Sequence, residues 1–217
     1  MEFNHAICKL SFWLLISDPC TYILHKGNNF VIVTIWVDDL LLFAMLDHLI
    51  EHTKVGLEAE WELTDLGEPV KIVGIEIELG DHFITISQCQ YRENILRKEG
   101  MEKANPVGTP LNPGIALEPN PDGNVGDWSN SYARLIGELQ FLVNATQPDI
   151  AFTISRLSAY TANPTMQHVS MLKRVLHYLS ETRTYSITYN DILGHPNHFL
   201  SYADASFANT DDLKVDH

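Results

Sequence analysis

The sequence predicts an α+β fold, in which antiparallel hairpins and helices occupy separate stretches of the chain. Residues 30–37 are β-branched and aromatic, residues 40–44 are apolar again, and the intervening Asp38-Asp39 is compatible with a turn. This stretch therefore predicts one hairpin, and Gly80-Asp81 predicts the turn of a second. Residues 129–181 instead carry apolar residues at helical spacing, with prolines at the starts of two segments.

The first residues are predicted to form a buried helix followed by a strand. Residues 1–17 carry apolar residues at roughly helical spacing, and Asp18-Pro19 ends the helix. The apolar run within this segment is short, is interrupted by Lys9 and has no clear cleavage site, so it does not resemble a secretory signal. A strand is expected to begin within residues 18–23, and residues 26–29 are expected to turn into the first hairpin.

The first hairpin carries the main candidate site. Its apolar run is long enough for a membrane span, but two central aspartates make a span unfavourable by several kcal/mol. Both strands are apolar on both faces, so we expect the hairpin to lie in a covered sheet. Asp38 and Asp39 at a buried tip would repel each other unless a cation neutralised them, and hard oxygen ligands suit Mg²⁺. An ordinary structural turn explains the same pair and stays an alternative.

The segment after the first hairpin is predicted to be a helix over residues 47–60, followed by the second hairpin. His48 and His52 are four residues apart, which is a ligand spacing, but no further ligand completes a zinc motif. We interpret both as part of a solvated helix face. The second hairpin is predicted over residues 70–86, and Ser87 is a good N-cap for a helix that Gly100 ends.

A stretch rich in proline, glycine and asparagine, residues 105–127, predicts a linker or long loop. Three helices are expected to follow, and then two short strands at residues 185–189 and 199–203. Near the end of the third helix, Lys173 and Arg174 belong to a modest basic cluster. This cluster is either a solvated face or a weak contact to nucleic acid.

Composition limits the functions that the chain can perform alone. It has 217 residues, 45% hydrophobic and 19% charged, which is typical of one or two globular domains. Three widely spaced cysteines form no disulfide framework, so we expect an intracellular protein of the cytoplasm or nucleus, with no signal peptide or membrane span. The net charge of −14 disfavours strong independent binding to nucleic acid, because phosphate neutralisation needs a basic face.

Several motifs in one order resemble the reverse transcriptase part of copia-type retrotransposon polyproteins. Trp36-Val37-Asp38-Asp39 followed by Leu-Leu-Leu-Phe is similar to the Tyr-Val-Asp-Asp box of reverse transcriptases. The resemblance runs from about Asp18 to about Ala208. Its other motifs are Asp18-Pro19-Cys20, Asp65-Leu66-Gly67 with Gly74-Ile75-Glu76-Ile77, Pro106 to Leu111, Tyr132 to Leu142, Thr146 to Phe152, Leu176 to Leu179, and Tyr202 to Ala208.

The resemblance implies RNA-directed DNA synthesis by two-metal nucleotidyl transfer. It makes Asp38 and Asp39 the catalytic and metal-binding pair for Mg²⁺ or Mn²⁺, and it places Trp36 and Val37 beside the nucleotide and the primer end. Trp36 stands where the family has tyrosine, so its larger ring changes the primer contact. Asp204 matches the first metal-binding carboxylate of the family's RNase H domain. The implied partners are an RNA or DNA template-primer and a deoxynucleoside triphosphate.

The resemblance also implies a domain order and a truncation at both ends. Residues 1–103 correspond to part of the palm and a thumb-like region, 104–128 to a linker, 129–183 to a helical connection, and 184–217 to a β-hairpin stub of an RNase H-like domain. The family's third polymerase aspartate and most RNase H acids have no match. We therefore expect a reverse transcriptase fragment that is inactive alone.

Two other readings stay open. The first is a non-catalytic remnant that acts as a binding or assembly module and self-associates through surfaces that truncation exposes. The second is an unrelated metal hydrolase built on Asp38 and Asp39.

Overall fold

The structure is a computed structural model that describes residues 2–112, 114–115, 117–120 and 128–190. Its first half contains an antiparallel sheet of four strands in the order β1-β2-β3-β4, together with two helices. The elements are α1 (Glu2–Lys9), β1 (Trp13–Leu14), β2 (Thr21–Lys26), β3 (Asn29–Trp36), β4 (Asp39–Ala44) and α2 (Asp47–Glu58).

One face of this first sheet is covered and the other is open. The covered face packs with residues of α1 and α2 into one hydrophobic core, whose fully or nearly buried members are Ile7, Phe12, Tyr22, Leu24, Val31, Val33, Leu49 and Leu57. Beside that core, the rings of Phe3 and Trp61 stack 4.7 Å apart. On the other face Trp36 is 56% and Phe43 44% exposed. The expectation that both faces are covered is therefore wrong for the described residues.

A second antiparallel sheet brings distant parts of the chain together. Its order is β5-β6-β7-β8, and β8 pairs with β7 with Ile187 opposite Ile86. The predicted boundary at residue 184 therefore directly precedes a strand that belongs to this sheet. The strands are β5 (Lys71–Ile72), β6 (Ile75–Gly80), β7 (Phe83–Ser87) and β8 (Ile187–Asn190).

A carboxylate from β6 caps the helix that follows this hairpin, α3 (Cys89–Lys98). The N-cap residue is Gln88, whose side chain makes no capping bond, so the prediction of Ser87 as the cap is wrong. Glu76 instead accepts hydrogen bonds from the backbone N–H of Cys89 at 3.1 Å and of Gln90 at 2.9 Å. A negative charge at this end also interacts favourably with the helix dipole.

The helices α4 (Trp128–Ala145), α5 (Ala151–Ser158) and α6 (Met166–Glu181) form the second hydrophobic core, with a short 3₁₀ turn at Pro148–Ile150. This confirms the three predicted helices. Ile95 and Leu96 of α3 belong to the same core. The described part of the predicted linker packs against it as well, since Leu117 is only 8% exposed. None of the described helices is long and apolar enough to cross a membrane.

Candidate active site

The β3–β4 hairpin positions the predicted carboxylates at one end of the first sheet. Val31 pairs with Ala44 and Trp36 pairs with Asp39, which leaves Val37 and Asp38 as the two turn residues. The turn is thus one residue earlier than the Asp38-Asp39 turn predicted from the sequence. Burial of Val31 and Val33 on the covered face explains this register, because a slip by one residue would turn both outward.

Val37 adopts a backbone conformation that its side chain disfavours. Its φ is +56°, in the left-handed region, where a β-branched residue is an outlier. Such a residue costs on the order of 1–3 kcal/mol and persists only where its surroundings impose it. A two-residue hairpin turn normally places glycine or asparagine at a position of this kind. Sequence patterns do not indicate this strain, because a β-branched residue such as valine is not expected at a positive φ.

Both carboxylates lie in solvent. Asp38, in the turn, and Asp39, at the start of β4, are exposed, and Val37 beside them is 82% exposed. The expectation of two acids at a buried tip is therefore wrong. At this exposed position water screens their mutual repulsion, so the fold itself needs no cation there.

The pair has the donor atoms of a partial metal site. Carboxylate oxygens are the donors that Mg²⁺ and Mn²⁺ prefer, but Mg²⁺ takes six ligands and commonly receives the rest from water and substrate phosphates. Within the described ranges, no group of three or more histidine, cysteine or acidic side chains could hold a metal ion. The donor chemistry of Asp38 and Asp39 fits a divalent ion whose remaining ligands come from substrate or solvent.

The carboxylate turn lies at the edge of an apolar surface, which we call the open face. It is the side of the first sheet opposite α1 and α2, and it carries Ile23, Phe30, Ile32, Thr34, Trp36, Leu41 and Phe43. Because directly paired residues share a face, Trp36 and Asp39 both belong to it. A ligand of the carboxylates would therefore also meet the exposed Trp36 ring.

The other predicted residues do not join this hairpin. Arg174 lies on α6 and donates from Nε to the Thr109 carbonyl oxygen at 3.1 Å and from Nη2 to Thr109 Oγ1 at 3.0 Å, so it holds the loop before α4. Lys173 is half-buried on the same helix. His48 and His52 are exposed on α2. Asp204 and the predicted strand at 199–203 lie outside the described residues.

Comparisons with known proteins find relatives for most of the chain. The sequence pattern of the reverse transcriptase (RNA-dependent DNA polymerase) family matches residues 3–113. The chain is 29% identical over 98% of its length to the retrovirus-related Pol polyprotein from transposon RE1 of Arabidopsis thaliana. It is 30% identical over 84% of its length to the corresponding polyprotein from transposon TNT 1-94 of Nicotiana tabacum.

The chain spans only 14% of each of those polyproteins. It is also 26% identical over 97% of its length to the putative transposon Ty5-1 protein of Saccharomyces cerevisiae, of which it spans 68%. No solved structure matches the chain. Because the family pattern covers just over half of the chain, including the carboxylate hairpin, this protein belongs to the reverse transcriptase family, in the copia-type form of retrotransposon Pol polyproteins.

Proposed function

We propose that this chain supplies the catalytic carboxylate hairpin of an RNA-directed DNA polymerase. The observation that carries the proposal is the strained, exposed turn that presents Asp38 and Asp39 within the region of the family match. The first sheet with its helices is the palm-like part. The helices α4 to α6 are the connection, and residues 184–217 begin the RNase H-like part.

The two carboxylates have different supports. Asp39 is fixed by its backbone pairing with Trp36, whereas Asp38 is held by the tight turn itself. We assign Asp38 as the essential metal ligand and Asp39 as its partner. Bound Mg²⁺ or Mn²⁺ would activate the primer 3′-hydroxyl and neutralise the triphosphate of the incoming nucleotide. The exposed Trp36 ring and Val37 offer an apolar contact to the primer end and the nucleotide.

A third carboxylate would have to come from another strand. In the described structure β4 is an edge strand, with β3 as its one neighbour in the sheet, so an added strand could pair along its free side. Two exposed carboxylates bind Mg²⁺ loosely by themselves. We therefore expect the isolated chain to be inactive or nearly so, and a longer polyprotein that contains it to be the active form.

Primer extension tests this proposal. In a longer polyprotein that contains the segment, Asp38→Asn should abolish extension of a primed RNA template with Mg²⁺ or Mn²⁺. Asp81→Asn is the matched control, because Asp81 is an exposed acid at the turn of the second hairpin and should leave extension unchanged. Normal extension by the Asp38→Asn protein would refute the site assignment. Extension by the isolated chain would refute its expected inactivity.

A non-catalytic assembly module is the second candidate, and the open face favours it. Exposed aromatic side chains on one sheet face are typical of surfaces that contact another protein. The charge favours it as well, because the net charge of −14 disfavours binding to nucleic acid. Six of the described cations are moreover paired with carboxylates, namely Lys9, Lys54, Arg97, Lys98, Arg134 and Arg183. A monomer at all concentrations in sedimentation velocity would contradict this candidate.

A further inference from the structure

Several buried polar side chains meet where α3 begins and where α4 and α6 end. Their exposed fractions are 1% or 2%, and they are Gln88, Arg92, Thr146, Gln147 and Thr182. Polar groups buried this deeply are almost always hydrogen-bonded, because an unpaired one loses its water without compensation. A polar atom at this junction that has no hydrogen-bond partner in the protein therefore indicates a bound ligand.

Hydrogen bonds place four of these residues in two groups, which together we call the junction network. Thr146 Oγ1 donates to Gln88 Oε1 at 2.9 Å, which links α4 to the start of α3. Arg92 Nη2 donates to the Arg183 carbonyl oxygen just beyond α6. Gln147 Nε2 points at two carbonyl oxygens, that of Thr146 at 3.4 Å and that of Tyr185 at 3.5 Å. The network thus connects α3, the end of α4 and the segment that leads into β8.

Three atoms of this network have no hydrogen-bond partner among the residues that the structure describes. They are Gln88 Nε2, Arg92 Nε and Gln147 Oε1. The first two are donors and the third is an acceptor. The orientation of the Gln147 amide follows from the two carbonyl oxygens in front of Nε2, so its Oε1 requires a donor.

We propose that this junction binds one structural water molecule, which accepts hydrogen bonds from Arg92 Nε and Gln88 Nε2 and donates one to Gln147 Oε1. Water is the ligand that matches two donors and one acceptor, and buried waters typically make about three hydrogen bonds. An anion would satisfy the donors but would face the lone pairs of Gln147 Oε1. A cation would be repelled by the Arg92 guanidinium.

The bound water would complete the attachment of residues 182–190 to the helical core. Without it, and counting only partners among the described residues, the buried Arg92 guanidinium would donate to the Arg183 carbonyl oxygen and the Cys89 sulfur alone. With it, one hydrogen-bonded cluster connects the helical core to the segment that continues into β8. This role is independent of the polymerase proposal, because none of the residues at the junction belongs to the carboxylate hairpin.

A crystal structure of the full chain tests the proposal, with a parallel crystal soaked in bromide. We expect an electron-density peak about 2.7–3.2 Å from Arg92 Nε, Gln88 Nε2 and Gln147 Oε1. We expect no anomalous bromide signal at that position. A direct Gln88 Nε2 to Gln147 Oε1 hydrogen bond without a peak would overturn the proposal. A bromide signal at the position would also overturn it and assign an anion site.

A substitution tests whether the bound water contributes to the stability of the fold. Gln147→Met removes the acceptor while keeping the side-chain length, and it should lower Tm by roughly 2–4 °C. Gln90→Met is the control, because Gln90 is exposed on α3 and its substitution should leave Tm nearly unchanged. Equal Tm values for the two variants would contradict a water bound through Gln147.

Discussion

At the scale of single residues, the carboxylate turn combines an expected chemistry with an unexpected backbone. The identities of Asp38 and Asp39 could be read from the sequence, but the φ of +56° at Val37 could not. Strain alone does not identify a functional site, because Val73 has a φ of +49° in the β5–β6 turn, away from the carboxylates. The strain at Val37 indicates a functional site only in combination with the two acidic residues that follow it.

Replacing Val37 with glycine should stabilise the protein by about 1 kcal/mol, because glycine adopts a positive φ without strain. Urea unfolding of the chain measures this change. Val55→Gly is the control, because Val55 is 66% exposed within α2 and glycine has a lower helix propensity than valine. That variant should be destabilised by about 0.3–0.5 kcal/mol. A destabilised Val37→Gly protein would show that the turn is not strained.

His168 should make the stability of α6 depend on pH. Its Nδ1 accepts from the Thr165 backbone N–H at 2.8 Å, and its ring stacks on Tyr160 at 4.0 Å. Burial holds the pKa of His168 below its ordinary value of 6.5. Below pH 6.5 the unfolded chain therefore binds a proton at His168 more readily than the folded chain does. The stability contributed by neutral, buried His168 is complete above pH 6.5 and is lost as the pH falls through the folded pKa.

His168→Gln isolates this effect, because glutamine keeps an acceptor for the Thr165 N–H but does not titrate. Thermal unfolding of both proteins from about pH 7.5 to about pH 5 spans the range in which histidine titrates. The wild type should lose stability relative to the variant as pH falls. A difference between the two that is the same at every pH would contradict the assignment.

At the scale of helices and strands, the alternation and spacing of apolar residues predicted most of the elements. The β3–β4 hairpin, the β6–β7 hairpin and the helices α4 to α6 all lie where expected. Two details depended on contacts between distant residues. The β3–β4 turn lies one residue earlier than predicted, which keeps Val31 and Val33 buried. The helix α3 is capped by Glu76, which lies in β6. Local sequence carries no information on such a cap.

Substituting Glu76 with glutamine should destabilise the chain by about 1–2 kcal/mol, because it removes the charge that accepts three hydrogen bonds at the start of α3. Glu78→Gln is the matched control on the same strand, since Glu78 is exposed. It should change stability by less than about 0.5 kcal/mol. Chemical unfolding measures both variants, and equal losses would contradict the capping role.

At the scale of the whole molecule, charge and exposed apolar surface oppose each other. The net charge of −14 keeps copies apart, whereas the open face of the first sheet favours their association. The composition predicted the first property. The second could not be read from the sequence, because an apolar strand face looks the same whether it is covered or open. Apolar residues on both faces of the strands predicted a sheet covered on both sides, but only one side is covered in the structure.

Self-association should therefore increase with salt, since added ions screen the repulsion between acidic copies but leave apolar contact in place. Sedimentation velocity at low and high salt measures it. Phe43→Lys, on the open face, should reduce association at high salt. Phe152→Lys is the control, because Phe152 is 63% exposed on α5. Equal effects of the two substitutions would show that the copies do not associate through the open face.

Paramagnetic NMR of the chain with Mn²⁺ is the sharpest test of the proposal that the β3–β4 turn binds a metal ion. With Mn²⁺ and a deoxynucleoside triphosphate present, we expect selective line broadening of the backbone amides of residues 36–40. The second hairpin, with its single turn acid Asp81, should broaden much less, and Asp38→Asn should remove the selectivity. Equal broadening of the two hairpins, or broadening that survives Asp38→Asn, would show that the β3–β4 turn is not the metal site.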